Sequence, residues 1–276
     1  MNKTFFNIPG LKNPGGSQFL LIAGPCVVES EKLLFEIGST IKKITEEFRI
    51  PFLFKASYKK ANRSKLNSFT GIGDLQALKL LKKLGKNLEV PVITDVHTAE
   101  EAILASEYVD ALQIPAFLCR QTELLITAGK TGKPVNVKKG QFVSGDSMRF
   151  AVEKIKSTGN QNILLTERGS MFGYQDLVVD YRNIPIMQKN NVPVIIDCTH
   201  SLQEPNKQHG VSGGKPELIE TIARAGIAAG ADGVFIETHP NPSKAKSDGA
   251  NMLPLNKLKH LLRNLSLLRE VVATLK

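Results

Sequence analysis

The chain has 276 residues, of which 42% are hydrophobic and 22% charged, and this composition is typical of a globular protein with a large core. No apolar run reaches the roughly 18 residues that a membrane-spanning helix needs, and the first residues lack the apolar core of a signal peptide. Three cysteines without a CxxC spacing favour a reducing, cytoplasmic setting.

The formal net charge of +10 raises the question of nucleic-acid binding. The lysines are scattered, however, the chain has no Trp, and aromatic residues make up only 6%, so no base-stacking platform is indicated. Small anionic substrates account for the charge equally well. We therefore expect no nucleic-acid partner and no membrane partner.

Strand-like apolar runs alternate with amphipathic stretches along the whole chain. The runs are continuous rather than alternating, which is typical of a parallel sheet covered on both faces. The predicted strands cover 19–23, 51–56, 91–95, 111–114, 134–138, 163–166, 193–197 and 233–237. The clearest predicted helices cover 29–48, 74–84, 121–129, 215–230 and 255–275.

About eight strand–helix units in a chain of this length predict an α/β fold of the (β/α)8 TIM-barrel type, with one domain spanning residues 1–276. A doubly wound sheet is the structural alternative, but no GxGxxG follows the first strand. Residues 1–18, rich in Gly, Pro and Asn, predict an N-terminal extension or hairpin that closes the bottom of the barrel.

A polar or ligating residue lies at or just after the end of every predicted strand. In a (β/α)8 barrel the active site is built where strands end and loops begin, so this regularity is our main reason to expect an enzyme. These residues are Cys26, Lys55, Asp95, Gln113, Lys138, Arg168, His200 and Glu237.

One part of this set is cationic. Lys55, Lys138 and Arg168 end buried strands, and the stretch after the second strand, residues 55–64, adds further cations and neutral donors. Converging cations repel one another, so a site that gathers them needs anions such as phosphate or carboxylate. The cationic and neutral candidates at this rim are Lys59, Lys60, Asn62, Arg63, Ser64 and Arg120.

The other part of the set combines a thiol, an imidazole and carboxylates. Cys26, His200, Glu237 and Asp248 would suit a divalent transition metal, and barrel closure makes the first, seventh and eighth strands neighbours. Two alternatives stay open: a buried structural Cys26, and His200 acting as a general base without metal. Cys198, two residues before His200, is a competing ligand or a packed core residue.

Two long segments containing glycine follow the seventh and eighth strands. Residues 201–215 and 238–251 are predicted to be loops at the barrel mouth. Loops of this kind often act as lids that exclude water, and they also serve as subunit contacts.

Short motifs along most of the chain match one enzyme family. They are Lys-Ala-Asn-Arg-Ser (60–64), Gln-Ile-Pro-Ala-Phe-Leu-Cys-Arg-Gln-Thr (113–122), Asn-Val-Lys-Lys-Gly-Gln-Phe (136–142), Thr-Glu-Arg-Gly (166–169), Phe-Gly-Tyr (172–174), Leu-Val-Val-Asp (177–180), Thr-His-Ser (199–201), Ser-Gly-Gly (212–214) and Ile-Glu-Thr-His-Pro (236–240). Together they resemble the 3-deoxy-D-manno-octulosonate 8-phosphate synthase family, from about Leu20 to the C-terminus.

The resemblance implies a cytoplasmic, homotetrameric (β/α)8 transferase that condenses phosphoenolpyruvate with D-arabinose 5-phosphate for the lipopolysaccharide inner core. The related heptulosonate-phosphate synthases carry Lys-Pro-Arg-Thr where this chain has Lys-Ala-Asn-Arg, which favours the octulosonate branch. The sequence Gly-Pro-Cys-Val-Val-Glu-Ser (24–30) resembles the metal-dependent class, whose metal-independent counterparts have Asn at the position of Cys26.

The resemblance also implies roles for individual residues. The phosphate of phosphoenolpyruvate would lie against Lys138, Arg168 and the backbone near Ala116, and its carboxylate against Lys55 and Lys60, near Gln113. Arabinose 5-phosphate would be bound by Asn62, Arg63, Ser64 and Arg120 of a neighbouring subunit, with Asp95 near the sugar. Catalytic roles fall to Lys55, Lys60, Asp95, Lys138 and His200, and a Zn, Fe, Mn or Co ion would be held by Cys26, His200, Glu237 and Asp248.

Two other functions remain open from the residues. A Schiff-base aldolase acting on a phosphorylated sugar acid would use Lys55 or Lys138 as the nucleophile. A non-catalytic phosphate-binding or nucleic-acid-binding protein would bind without releasing phosphate.

Overall fold

The computed structural model describes residues 7–15, 17–61, 68–172, 176–207 and 211–275. Within these residues, eight parallel strands pair in chain order, and the first also pairs with the last, so that the sheet closes on itself. The barrel strands are β1 (Leu20–Gly24), β2 (Phe52–Lys55), β3 (Val92–Asp95), β4 (Ala111–Ile114), β5 (Val135–Lys138), β6 (Ile163–Glu167), β7 (Val194–Asp197) and β8 (Gly233–His239). The predicted (β/α)8 barrel is therefore confirmed.

A helix lies between each pair of consecutive strands, and another follows the last strand. The helices are α1 (Glu31–Glu47), α2 (Asp74–Leu88), α3 (Ala99–Ser106), α4 (Thr122–Lys130), α5 (Arg149–Lys156), α6 (Asn183–Gln188), α7 (Ile219–Ala228) and α8 (Leu255–Thr274). Ser30 and Thr98 cap α1 and α3, since each side-chain oxygen accepts a hydrogen bond from a first-turn N–H. No described helix is long and apolar enough to cross a membrane.

The strands alternate between two apolar layers because successive side chains point to opposite faces. One set packs outward under the helices, and the other fills the lower half of the barrel. Ile8 and Leu11, from the described part of the N-terminal segment, join this interior layer and close the bottom of the barrel as expected. The interior strand residues are Leu20, Ile22, Leu53, Ile93, Ala111, Leu164, Ile195 and Phe235.

Above this apolar layer, the next inward positions are polar on most strands. Lys55, Asp95 and Gln113 each lie two residues after an interior apolar residue of the same strand. Those apolar residues are Leu53, Ile93 and Ala111. The barrel is therefore apolar at its amino-terminal end and charged at its carboxyl-terminal end, where the candidate site lies.

The segment after β7 corrects one prediction. Residues 201–215 were expected to be a loop, but Gln203–Lys207 and Val211–Gly214 pair as an antiparallel hairpin with a register shift. Gly213 and Gly214, two of the glycines that indicated a loop, pair with Glu204 and Gln203 in this hairpin. A second short hairpin joins Ser170–Met171 to Leu177–Val178.

Candidate active site

A cavity of about 320 Å³ opens at the carboxyl ends of the barrel strands. It gathers side chains from distant parts of the sequence because each follows a strand that ends at this rim. The predicted site residues that line it are Lys55, Lys60, Asp95, Gln113, Ala116, Lys138, Arg168, His200, Glu237 and Asp248.

One side of the cavity holds a thiol and two carboxylates. The potential ligand atoms of Cys26, Glu237 and Asp248 all lie within 4.8 Å of one another. Gly24, two residues before Cys26, allows the ends of β1 and β2 to approach closely, because a Cβ there would lie 2.0 Å from the carbonyl oxygen of Lys55. The fourth predicted ligand, His200, borders the group, with Nε2 at 3.6 Å from Glu237 Oε1.

Observations at this cluster fit a bound cation. The Lys60 ammonium lies 2.7 Å from Asp248 Oδ2 and 3.1 Å from Cys26 Sγ, so a positive charge already neutralises part of the group. Glu237 Oε2 is buried and has no hydrogen-bond partner among the described residues. One thiol with carboxylates and a nearby imidazole is a donor set for Zn²⁺ or a similar divalent ion.

Burial and the neighbouring Glu237 carboxylate raise the pKa of the Cys26 thiol well above its ordinary value. Burial alone would also raise the pKa of Asp248, but the charges of Lys60 and His200 and the hydrogen bonds from Lys60 and Cys26 together outweigh it and hold that pKa well below the usual range. A metal ion that bound at the place of the Lys60 ammonium would also have to displace the proton of the Cys26 thiol.

The opposite side of the cavity is cationic. The ammonium of Lys138 lies 2.6 Å from Asp197 Oδ2 and 3.6 Å from the centre of the Phe235 ring. Arg168 is buried, with Nη2 donating to Gln203 Oε1 at 3.4 Å, and its Nη1 has no hydrogen-bond partner among the described residues. A buried guanidinium nitrogen without an acceptor indicates a place for an anion.

Lys55 connects the two sides. Its ammonium donates to Glu237 Oε1 at 2.9 Å and lies 3.3 Å from Asp95 Oδ2. Burial alone would lower the pKa of Lys55, but the charges of Asp95 and Glu237 outweigh it and raise that pKa, so the side chain is a fixed cation.

A chain of buried hydrogen bonds supports Asp95 from neighbouring strands. Gln113 Nε2 donates to Asp95 Oδ1 at 2.6 Å, and Asn136 Nδ2 donates to Gln113 Oε1 at 2.9 Å. Thr166 Oγ1 completes the chain by donating to Asn136 Oδ1 at 2.7 Å. We had not singled out Asn136 or Thr166, although both lie two residues before a predicted site residue on the same strand face.

Asp197 is the most important side chain that our prediction missed. Its Oδ2 lies 2.9 Å from His200 Nδ1 as well as 2.6 Å from Lys138 Nζ, and its Oδ1 accepts the backbone N–H of His200 at 2.8 Å. Burial alone would raise its pKa, but the charges of His200 and Lys138 hold that pKa well below the usual range. Asp197 is the last residue of β7, so its place at a strand end could have identified it as a site residue. We chose His200 as the site residue of that strand end instead.

Some predicted residues lie elsewhere. Arg120 is exposed and lines a separate surface cleft with Phe142 and Phe150. Cys198 is fully buried in the outer apolar layer, which supports the packed-core alternative for that residue. Asn62, Arg63 and Ser64 lie outside the described residues.

A closed (β/α)8 barrel with a charged cavity at its carboxyl-terminal end is the architecture of a barrel enzyme. A sequence profile of the DAHP synthetase I family matches residues 7–274, and the chain belongs to that family. Within it, the chain is similar to proteins named 2-dehydro-3-deoxyphosphooctonate aldolase. The one from Koribacter versatilis (strain Ellin345) is 53% identical over 261 residues, which cover 94% of each chain.

Two further relatives with the same name support this similarity. The protein from Desulfatibacillum aliphaticivorans is 49% identical over 97% of this chain and 98% of its own. That from Trichlorobacter lovleyi is 47% identical over 96% of this chain and 98% of its own. The resemblance inferred from short motifs is thereby confirmed over nearly the whole length.

Proposed function

We propose that the chain is a transferase that condenses phosphoenolpyruvate with D-arabinose 5-phosphate and water. The products are 3-deoxy-D-manno-octulosonate 8-phosphate and inorganic phosphate, and the sugar acid phosphate enters the pathway to the lipopolysaccharide inner core. The observation that carries the proposal is a single cavity with buried cations on one side and a thiol–carboxylate cluster on the other. The names of the similar proteins agree with it.

The phosphate of phosphoenolpyruvate would bind to Lys138 and Arg168. This assignment is supported by the burial of both cations and by the unpartnered Nη1 of Arg168. The backbone near Ala116 would complete this phosphate subsite. The carboxylate would bind to Lys55 and Lys60, near Gln113. Two separate cation groups match the two anionic groups of the substrate.

The chemistry requires charge stabilisation at two points. C3 of phosphoenolpyruvate attacks the sugar aldehyde to form a C–C bond, and water adds at C2. The resulting hemiketal phosphate loses phosphate by C–O cleavage. Lys138 and Arg168 would stabilise the departing phosphate, and Lys55 would stabilise the carboxylate while charge changes at C2.

Asp95 and His200 are the candidates for positioning and moving protons. Burial alone would raise the pKa of Asp95, but Lys55 and Lys138 hold it well below the usual range, so Asp95 stays a carboxylate that orients a sugar hydroxyl. His200 lies between Asp197 and Glu237, and where its Nε2 does not ligate a metal, the imidazole could accept or return the proton of the attacking water.

Cys26, Glu237 and Asp248, with His200 beside them, would hold a divalent Zn, Fe, Mn or Co ion. When bound, such an ion supplies Lewis-acid chemistry, either orienting the aldehyde or activating the water. Lys60 contacts Cys26 and Asp248, so the ion and this ammonium compete for the same donor atoms.

Arabinose 5-phosphate would be bound by Asn62, Arg63 and Ser64, and by Arg120 of a neighbouring subunit. The exposed Phe142 and Phe150, which line the same cleft as Arg120, support a subunit contact at this surface. We therefore expect a homotetramer in sedimentation experiments, and an active monomer at assay concentration would contradict the shared site. The free, buried cysteines are consistent with a cytoplasmic protein.

The decisive experiment measures phosphate release from phosphoenolpyruvate with arabinose 5-phosphate and, separately, with erythrose 4-phosphate. We expect turnover with the five-carbon sugar, loss of activity with chelator, and recovery with a divalent metal. Preference for erythrose 4-phosphate would identify a heptulosonate synthase instead. Trapping of the substrate by borohydride would identify a Schiff-base aldolase, and binding without phosphate release would exclude both kinds of synthase.

A further inference from the structure

A buried ion pair lies behind the cationic side of the cavity. Lys139 and Glu167 are both 0% exposed, and Lys139 Nζ lies 3.5 Å from Glu167 Oε1. The two residues follow or end the neighbouring strands β5 and β6, but neither lines the cavity. The pair therefore has no direct access to a substrate.

Strand alternation explains this placement. Lys138 and Arg168 face the cavity, while their chain neighbours Lys139 and Glu167 face the outer side of the barrel. Lys138 pairs with Thr166 in the sheet, and the Lys139 N–H donates to the Thr166 carbonyl at 2.8 Å. The two substrate cations and the ion pair thus occupy opposite sides of the same two strand ends.

The Lys139 ammonium joins the loops that follow these two strands. It lies within hydrogen-bonding distance of two oxygens in each loop, at 3.2–3.3 Å. The acceptors are the carbonyls of Gly140 and Val143 after β5, and the Gly169 carbonyl and Ser170 hydroxyl after β6. One side chain therefore fixes the separation of the two loops.

The pair also fixes the residue next to Arg168. Glu167 Oε1 accepts the Gly169 N–H at 2.6 Å, and Lys139 holds the carbonyl of the same glycine. Gly169 has φ +86°, a conformation that favours glycine. Arg168 thus lies in the chain between Glu167, a buried carboxylate, and Gly169, whose N–H and C=O are both held by hydrogen bonds.

Electrostatics suggests why such an arrangement is useful. Lys138 and Arg168 carry like charges on adjacent strands and repel each other when no anion lies between them. A buried ion pair is weak support for stability, since apolar residues of similar volume often stabilise as well or better. The pair matters here because it connects the two loops that follow β5 and β6.

We infer that Lys139 and Glu167 are positioning residues that set the spacing of Lys138 and Arg168 for the phosphate of the three-carbon substrate. The inference rests on the proposed function, because that function identifies the anion. The pair acts through the two cations and touches neither the substrate nor the reacting atoms.

The test compares Lys139→Met with Lys156→Met, a matched control. Lys156 is a half-buried lysine on α5 whose ammonium donates to the Asn190 carbonyl at 3.1 Å, away from the cavity. Steady-state KM values for both substrates would be measured together with calorimetric Kd values for phosphoenolpyruvate and inorganic phosphate. Glu167→Gln is the milder second variant, because its amide oxygen still accepts the Gly169 N–H.

For Lys139→Met we expect KM and Kd for phosphoenolpyruvate to rise at least about tenfold, because small misplacements of binding groups have large effects. Phosphate affinity should fall in parallel, and KM for arabinose 5-phosphate should change less than about twofold. Glu167→Gln should show a smaller change in the same direction, and Lys156→Met should leave both KM values unchanged.

Two results would overturn the inference. One is a Lys139→Met protein with a lower melting temperature or lower active fraction but unchanged affinity for phosphoenolpyruvate and phosphate. The other is an equal rise in both KM values. If Lys139→Met does not fold, an unchanged Kd in Glu167→Gln overturns it. If the parent binds phosphoenolpyruvate but releases no phosphate, the proposed function fails, while the Kd comparison still decides the role of the pair.

Discussion

The two sides of the cavity are built from different strands and require opposite charges. Beside β1 and β8, Cys26, Glu237 and Asp248 form a cluster of ligand atoms that could hold a cation. At the ends of β5 and β6, Lys138 and Arg168 form a site that requires an anion. Because separate strands carry the two groups, we expect a substitution on one side to leave ligand binding on the other side unchanged.

Each side also contains its own counter-ion. Lys60 neutralises part of the thiol–carboxylate cluster, and Asp197 neutralises Lys138. A ligand on either side must therefore compete with a contact already made within the chain. Gln203 spans the gap, contacting Arg168 on one side and Asp248 on the other at 3.4 Å each.

The largest expected effect is on the cation side. Cys26→Ala should lose bound metal and activity together, by more than about 100-fold, since even residues that only support a metal ligand affect affinity 10–100-fold. Metal content by elemental analysis and phosphate release would be measured on the same samples. KM for phosphoenolpyruvate, where residual activity permits, should stay near the parent value.

Cys26→Asn provides the sharper control. The metal-independent members of the family that the motifs resemble carry Asn at this position, so this variant should keep partial activity that chelator no longer abolishes. A parent protein that remains fully active with negligible metal content would show that Cys26 is only a packed thiol.

On the anion side, Arg168→Ala should raise KM for phosphoenolpyruvate by about 10–100-fold. Loss of a charge-assisted phosphate contact typically costs about 1.5–3 kcal/mol. Metal content and KM for arabinose 5-phosphate should change little, and both are measured on the same preparation. Equal effects on the two substrates would contradict the assignment of this residue to one phosphate.

The strand pattern explains how much of the fold was predictable. Ala111–Ile114 was predicted with the observed bounds, because this short run stops at Pro115 and carries one polar residue, Gln113, on the cavity side. The period of two residues then places Lys55, Asp95, Gln113 and Lys138 at one level of the barrel. Residues that follow this alternation could be predicted from the chain alone.

Contacts between distant strands could not be predicted in the same way. Asp197 and Lys138 are far apart in sequence, and their contact depends on the side-chain geometry inside the barrel. The hairpin formed by Gln203–Lys207 and Val211–Gly214 was missed because its glycines favour a loop locally, and tertiary pairing overrides that preference. The role of Arg120 at the site of a neighbouring subunit stays a prediction.

Asp197→Asn tests the connection between the two sides. Its amide oxygen can still accept the backbone N–H groups of Thr199 and His200, but the charge facing Lys138 and His200 is lost. We expect metal affinity to fall about tenfold, as for other residues that orient a metal-binding histidine. KM for phosphoenolpyruvate should rise severalfold.

Metal titration and steady-state kinetics would measure these two effects in parallel. Asp146→Asn, which alters an exposed ion pair with Arg149, is the control and should change neither. A change confined to one side would show that Asp197 supports that side alone.

The smallest expected effect is the release of about one proton when metal binds, because only a thiolate ligates. Burial and Glu237 raise the pKa of Cys26 above its ordinary value, so the thiol is protonated at pH 7.5 in the metal-free protein. Metal affinity should therefore fall as pH falls, with a contribution of about tenfold per pH unit from this single proton. Calorimetry in buffers of different ionisation enthalpy counts the protons released. Cys26→Asn, which has no thiol proton, should release about one proton fewer than the parent, and an identical count in the two proteins would show that Cys26 does not ligate.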